Sequence, residues 1–455
     1  MLNSDNGPPD SLDALLAFAL AGVLAWLLVP VTDTLARRIG AIDHPNERGL
    51  HEVPTPRLGG LAILVGVLAA GALWLPWNDE TRAILAGAAL IAAVGALDDI
   101  FDLPAGWKLA GQVVAAAIPV SAGVTVQDFT VPFLGRVEPG TVDLVDLPLL
   151  GGIDLGDAAT VIGIVAIMNG INFIDGVDGL AAGICVISAL TLATVALSLD
   201  RNAAGVLAAI TAGAALGFLR HGFPPASTFM GDTGSNLLGY MLGAVAVQGA
   251  LKTNAVVALF FPLIILAVPI LDSGFVIAKR LKYGRPVYVA DRSHFHHRMA
   301  NIGFSQRRTL AYLYGWALVL AGLALALRFV PYSDDHGNFD PAWTAVMIGC
   351  GLVAVAASVY LVVVLEILKL RSFRLRQIVG LSRRAGEAPP APAAVDEGVA
   401  RELETGEFAA VDPETGELQT LDPETGEFES IPPSGADEGS SMQPETQPGR
   451  GGGPS

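Results

Sequence analysis

The chain has 455 residues, 52% hydrophobic and only 16% charged, against roughly 25% charged in an ordinary soluble domain, which excludes a conventional soluble enzyme. The formal net charge of −17 gives no reason to expect a nucleic-acid partner. It is also unevenly placed: 16 acidic and 2 basic residues lie from Ala385 onward, which leaves 28 acids against 25 bases for everything before.

Apolar stretches near the ~20 residues needed to cross a bilayer recur along the first 370 positions. They predict spans at 11–30, 58–76, 82–97, 109–126, 158–171, 180–199, 203–219, 234–250, 254–278, 310–328 and 342–368. The expected fold is therefore all-α, a polytopic membrane protein with about eleven transmembrane helices. No basic segment precedes the first span, and residues 1–10 are acidic, so 11–30 reads as a retained helix, not a cleaved signal. One set of alternate loops carries 20 Lys and Arg and the other only 5. By the positive-inside rule the first set is cytoplasmic, with the N-terminus outside and the C-terminus inside. Within the longest outward loop, 127–157, alternating Phe129, Val131 and Phe133 ahead of Gly135 and Pro139-Gly140 suggest a short hairpin. Cys185 and Cys350 lie in apolar runs and read as small core residues.

Acids inside such a chain are expensive and mark function. They gather where spans meet the cytoplasmic side, in five segments. The first begins at Asp43 and runs through Arg48 and His51 to Arg57 and Gly60, with prolines that stiffen it; its cations suit phosphate, although a plain basic juxtamembrane loop is the alternative. The second is Asp98-Asp99-Ile-Phe-Asp102, followed by Lys108 and Gln112. Adjacent carboxylates at a helix C-terminus repel each other and oppose the helix dipole, so a divalent metal with a nearby Lys is the economical relief. Mg²⁺, with Mn²⁺ as a substitute, suits carboxylate and phosphate oxygens.

The third segment, Asn169-Gly-Ile-Asn172-Phe-Ile-Asp175-Gly-Val-Asp178-Gly-Leu, places two amides and two carboxylates three residues apart. If the helix continues to Asp175, then Asn169 and Asn172 share one face, which Asp175 could join. A calcium loop is the soluble alternative, but its downstream acid is missing. The fourth, Phe229-Met-Gly-Asp232-Thr-Gly-Ser235, sets a lone Asp at the start of a span beside backbone N–H groups, with Phe229 placed to stack on a base or to sit at the membrane interface. The fifth places three of the seven histidines, His294, His296 and His297, beside Asp291 and Arg298 in a basic stretch. Grouped donors to a diphosphate are the reading preferred over zinc, which needs a fourth ligand and wider spacing.

Beyond Arg384 the composition turns to Pro, Ala, Glu, Gly and Ser, with a ten-residue repeat, Glu-Thr-Gly-Glu, starting at Glu404, Glu414 and Glu424. So few apolar residues bury no core, so a disordered tail over 385–455 is expected, with a weak hairpin array or a partner-binding segment as the alternatives.

Taken together, the five segments resemble those of the polyprenyl-phosphate N-acetylhexosamine-1-phosphate transferases, glycosyltransferase family 4, in order from Asp43 to Gly303. The fifth motif, His-Phe-His-His-Arg, is similar to the N-acetylglucosamine branch, whereas the peptidoglycan translocase branch has three consecutive histidines. The chain departs from the family at Gly49, where a second basic residue often follows the arginine, and in its repeat-bearing tail.

The resemblance implies that residues 1–384 form a membrane-embedded domain transferring a GlcNAc-1-phosphate, or a related HexNAc-1-phosphate, from a UDP-HexNAc to a polyprenyl phosphate lipid. UMP is released, and the step opens synthesis of a cell-envelope polysaccharide such as lipopolysaccharide or teichoic acid. It implies Asp232 and Asp98 as Mg²⁺ ligands, with Asp98, Asp99 and Lys108 at the lipid phosphate. Asn169, Asn172, Asp175 and Asp178 would lie at the nucleotide-sugar, with Phe229 on uracil. His294, His296, His297 and Arg298, with Arg48, His51 and Arg57, would grip phosphate or sugar. Phospho-N-acetylmuramoyl-pentapeptide transfer is the alternative within the family, and a transporter or flippase the alternative outside it. CDP-alcohol phosphatidyltransferases expect an Ala-Arg pair where Ala181-Ala-Gly183 stands. A homodimer is compatible with all of these readings.

Overall fold

The computed structural model describes residues 10–43, 54–127, 129–131, 135–147, 151–250, 266–268, 270–271, 274, 304–332, 340–360, 408–411, 418–421 and 428–430. The chain divides into two compact units, Met1–Lys369 and Leu370–Ser455.

Unit one is a helical bundle. Its helices are α1 (Ser11–Ile39), α2 (Gly60–Trp74), α3 (Asp79–Phe101), α4 (Ala105–Ser121), α5 (Leu155–Ile174), α6 (Leu180–Ser198), α7 (Asn202–Gly222), α8 (Gly231–Ala250), α9 (Gln306–Phe329) and α10 (Pro341–Tyr360). Among the described residues, seven of these are long and apolar enough to cross a membrane, and α2 is a shorter apolar helix. The expected span at 254–278 falls almost wholly outside the described residues.

Local chemistry sets the helix ends. Asp10 and Asp13 form a reciprocal capping box at the start of α1, and Gly40 closes it in the left-handed conformation at φ 79°. The first span was expected to stop at Pro30, yet α1 runs straight through it. The ring removes one N–H from the ladder and so frees the Trp26 carbonyl one turn earlier, a loss that membrane helices tolerate when neighbouring groups re-satisfy the backbone; here His221 Nε2 of α7 lies 3.1 Å from that carbonyl. Asp154 and Asp157 repeat the capping box on α5.

Packing follows the logic of lipid. Ala14, Ala17, Ala21 and Ala25 form a buried stripe on α1, while Leu15, Leu16, Trp26 and Leu27 are exposed. Hydrocarbon is as apolar as leucine, so the gain lies in small residues that let helices approach, and large apolar side chains turn outward. The centre of the bundle is α8, which touches α2, α3, α4, α5, α6 and α7. Its Tyr240 is fully buried and bonds the Ile84 carbonyl of α3 at 3.0 Å.

Between α4 and α5 the expected hairpin is found twice. Strands β3 (Phe129–Val131) and β4 (Gly135–Val137) pair antiparallel, as do β5 (Asp143–Leu147) and β6 (Gly151–Asp154). At the other end of the bundle β1 (Ile42–Asp43) pairs with β2 (Thr55–Pro56).

In unit two, each Glu-Thr-Gly-Glu repeat is followed by a short strand: β7 (Phe408–Val411), β8 (Leu418–Leu421) and β9 (Phe428–Ser430). They pair antiparallel in sequence order, with Phe408 opposite Leu421 and Leu421 opposite Phe428. These described pieces of the tail take the hairpin-array form, the secondary expectation for the repeat; the rest of 385–455 lies outside the described residues.

Candidate active site

The site forms where the end of α3, the start of α4, the end of α5 and the start of α8 converge. Each contributes residues from one sequence motif. α3 ends because Asp102 takes the left-handed conformation at φ 49°, which Asp tolerates better than most side chains. This puts Asp98 and Asp99 in the last turn, 8% and 4% exposed. Two carboxylates so far from water need compensation, and the structure supplies it differently for each.

Asp98 accepts the Leu103 N–H on Oδ1 at 2.8 Å, and its Oδ2 lies 3.2 Å from the Lys108 ammonium. Lys108, from the first turn of α4, also bonds Oδ2 of Asp232. One ammonium thus joins two carboxylates from sequence-distant helices. The other oxygen of Asp232 accepts from Asn172 Nδ2 at 2.5 Å, and the same amide nitrogen reaches Ser235 Oγ at 2.8 Å. Asp99 engages the backbone of α8 instead: its Oδ1 accepts the Asp232 N–H at 2.9 Å, and its Oδ2 accepts the Thr233 N–H at 3.0 Å and the Thr233 hydroxyl at 2.7 Å.

A ring of amides supports this cluster. Gln112 donates to Asn236 Oδ1 at 2.8 Å and accepts from Asn169 at 2.8 Å, and Asn236 donates to the Asp232 carbonyl at 2.8 Å. Asn169 and Asn172 do share a face, since α5 continues to Ile174 with Asp175 as its C-cap. Asn169 nevertheless serves the internal ring through Gln112 and the Val165 carbonyl. Asp175 lies next to the cluster; burial, followed by the charges of Asp232, Asp99 and Asp178, holds its carboxyl well above the usual carboxylate range. Asp178 accepts the Ala226 N–H at 3.0 Å, tying its loop to the approach to α8.

The first motif is stitched to the fourth through backbone. Phe229 N–H donates to the Pro56 carbonyl at 2.8 Å, and the Gly59 and Gly60 N–H groups donate to the Phe229 and Met230 carbonyls at 3.0 Å each. Arg57, expected as a phosphate donor, bonds the Asp99 carbonyl through Nε and Asp102 Oδ1 through its guanidinium, both at 3.0 Å. It therefore neutralises the C-terminus of α3, and the negative charge that opposes the helix dipole there is matched by Arg57 and Lys108. The Phe229 ring is half-buried.

The structure brings together Asp98, Asp99, Lys108, Asn169, Asn172, Asp175 and Asp232, and ties Arg57, Asp178 and Phe229 to the segments that carry them. Arg48, His51, His294, His296, His297 and Arg298 lie outside the described residues. Thr233 and Asn236 were not singled out from sequence. Asn236 could have been, since it stands one helical turn after Asp232.

Among the described residues no three Asp, Glu, His or Cys side chains close into a metal cage. The donor set still fits Mg²⁺, which is commonly held by one or two carboxylates with substrate phosphates completing its octahedron. Asp98 and Asp232 offer those oxygens and already share a cation in Lys108.

Buried carboxylates, a bridging lysine and amides thus gather at one end of an apolar, membrane-spanning bundle. The sequence model of Glycosyl transferase family 4 matches residues 81–250. A probable undecaprenyl-phosphate N-acetylglucosaminyl 1-phosphate transferase of Bacillus subtilis is 38% identical, over 69% of this chain and 84% of its own length. The decaprenyl-phosphate N-acetylglucosaminephosphotransferase of Mycolicibacterium smegmatis is 36% identical over 73% of this chain and 84% of its own. A phospho-N-acetylmuramoyl-pentapeptide-transferase of Desulforudis audaxviator is 34% identical over 68% of this chain and 95% of its own. The chain belongs to glycosyl transferase family 4.

Proposed function

We propose that this protein takes N-acetylglucosamine-1-phosphate from UDP-GlcNAc and transfers it to a polyprenyl phosphate, with Mg²⁺, releasing UMP. The observation that carries the reading is the convergence of Asp98, Lys108, Asn172 and Asp232 at one end of the bundle, in a chain whose relatives are named for that transfer.

The chemistry is phosphoryl transfer. An oxygen of the lipid phosphate attacks the sugar-side phosphorus of the donor, the bond from that phosphorus to the bridging oxygen breaks, and the electron pair leaves with UMP. Such a reaction needs alignment and neutralisation of charge more than covalent help from the protein. The Lys108 ammonium supplies fixed positive charge, while Asn172 and the amide ring hold Asp232 in one orientation. Asp98 and Asp232 would hold Mg²⁺, which when bound neutralises charge on the phosphate oxygens. The bias of 20 Lys and Arg to 5 supports a cytoplasmic position for this end of the bundle, on the side where nucleotide sugars are made. A single displacement fits this arrangement; isolation of a phosphorylated protein formed without lipid would overturn it.

The test is UMP release by full-length protein in detergent, with polyprenyl phosphate and a panel of UDP-sugars. Release that depends on lipid and Mg²⁺ and is fastest with UDP-GlcNAc is expected. A preference for UDP-N-acetylmuramoyl-pentapeptide would move the chain to the other branch of its family, and no release with any donor would remove the transferase reading.

A further inference from the structure

The two adjacent aspartates of the second motif do different work. Building on the reading that Asp232 holds the metal, we infer that Asp99 is a positioning residue that clamps the first turn of α8 and so aims Asp232, while Asp98 faces the reacting groups.

Three observations carry this. Both oxygens of Asp99 are engaged by donors from the start of α8: the Asp232 N–H at 2.9 Å, the Thr233 N–H at 3.0 Å and the Thr233 hydroxyl at 2.7 Å. These N–H groups are among those a helix start leaves without an internal partner, so Asp99 caps α8 from another helix, where its negative charge is favoured by the dipole. The oxygen of Asp98 that faces Lys108 and Asp232, in contrast, accepts no backbone N–H among the described residues.

The second observation is how closely the elements meet. A Cβ on Gly95, one turn before Asp99, would lie 2.6 Å from the Asp232 carbonyl oxygen and the Thr233 backbone. Gly231 has φ +65°, and a Cβ there would strike the Arg57 carbonyl and both Asp99 oxygens. The α3–α8 junction is thus built around the carboxylate of Asp99, with no room for a side chain at Gly95 or Gly231. Third, Arg57 holds the Asp99 carbonyl at 3.0 Å, fixing the backbone from which that carboxylate extends. The clamp places Asp232 by its backbone, whereas Asn172 and Lys108 orient its side chain.

Mn²⁺ binding, followed by loss of the free-ion electron paramagnetic resonance signal, reads the site without turnover. Full-length protein in detergent would be compared with Thr233→Val, Thr233→Ser, Asp99→Asn and Asp232→Ala, alongside transfer rates across a range of Mg²⁺ concentrations. Support groups that orient a ligand typically contribute 10- to 100-fold in metal affinity. Thr233→Val and Asp99→Asn should therefore each weaken Mn²⁺ binding about tenfold, with Thr233→Ser within about twofold of the parent. The Thr233→Val transfer rate should recover at high Mg²⁺, which a mere loss of folding would not allow. In the double variant the effects should fall short of additive, since both remove one contact.

If Asp99→Asn loses Mn²⁺ while Thr233→Val binds it normally, Asp99 is itself a ligand and the inference is wrong. Normal binding by both variants also overturns it. Should Asp99→Asn not fold, Thr233→Val against Thr233→Ser decides alone, equal binding counting against the clamp. Undiminished binding by Asp232→Ala would overturn the metal reading on which the clamp rests, a result distinct from the others.

Discussion

Asp232→Ala is expected to lower kcat/KM about a thousandfold or more. Asp232 is the point where three helices meet: Lys108 from α4 and Asn172 from α5 both bond its carboxylate, and its backbone N–H lies on Asp99 of α3. Removing it takes away one of the two carboxylates that would hold Mg²⁺ and leaves the Lys108 charge lopsided on Asp98. Several kcal/mol of transition-state stabilisation are at stake, and every ~1.4 kcal/mol is tenfold in rate. Initial rates of UMP release at saturating lipid check this. Activity above a tenth of the parent would mean that the metal, and the transferred phosphate with it, sits elsewhere.

The second large effect belongs to Lys108→Met. Its ammonium bridges Asp98 and Asp232, which also interact directly, and all three side chains are mostly shielded from water. The side chain of methionine is similar in length but carries no charge, so the two acids would face each other with no cation to balance them. Breaking a buried pair so as to leave an uncompensated charge costs about 3 kcal/mol or more, and loss of a fixed cation at the reacting phosphates costs about 10²–10³ in rate. Both a lower melting midpoint in detergent and a rate loss of that size are expected. The combination Lys108→Met with Asp98→Asn should separate the two: removing the excess negative charge should restore much of the midpoint while the rate stays low. A double variant as unstable as the single one would show that Lys108 acts through packing of its methylenes, not through charge.

The sequence carried much of this. Apolar runs located the helices because a bilayer demands long uninterrupted segments, and α3, α5, α6 and α7 overlap the expected spans closely. The first span is expected to end at position 30, whereas α1 runs on to Ile39, because the carbonyl that Pro30 leaves free finds a donor on a neighbouring helix. The site motifs could be picked out because acids at membrane depth are rare, and Asp98, Lys108, Asn172 and Asp232 do converge. What spacing could not reveal was the partnering. Arg57 reads as a phosphate donor, and the structure adds that it bonds the end of α3; Asn169 reads as a residue at the nucleotide-sugar, and the structure adds that it pairs with Gln112. Such contacts link residues 42 to 57 positions apart, and they depend on which helices become neighbours, information that local periodicity does not hold. Asp98 and Asp99 are likewise equivalent in a motif. Only the helix geometry, which turns successive side chains by about 100°, sends one to Lys108 and the other to α8.

The most direct measurement is the fate of the two phosphorus atoms of the donor. UDP-GlcNAc labelled at its sugar-side phosphorus would be incubated with the full-length protein, polyprenyl phosphate and Mg²⁺, and the lipid and nucleotide products separated. Transfer of a sugar-1-phosphate puts that label in the lipid fraction and leaves unlabelled UMP, and this is the predicted result. Label recovered in UDP, with the sugar alone on the lipid, would contradict it.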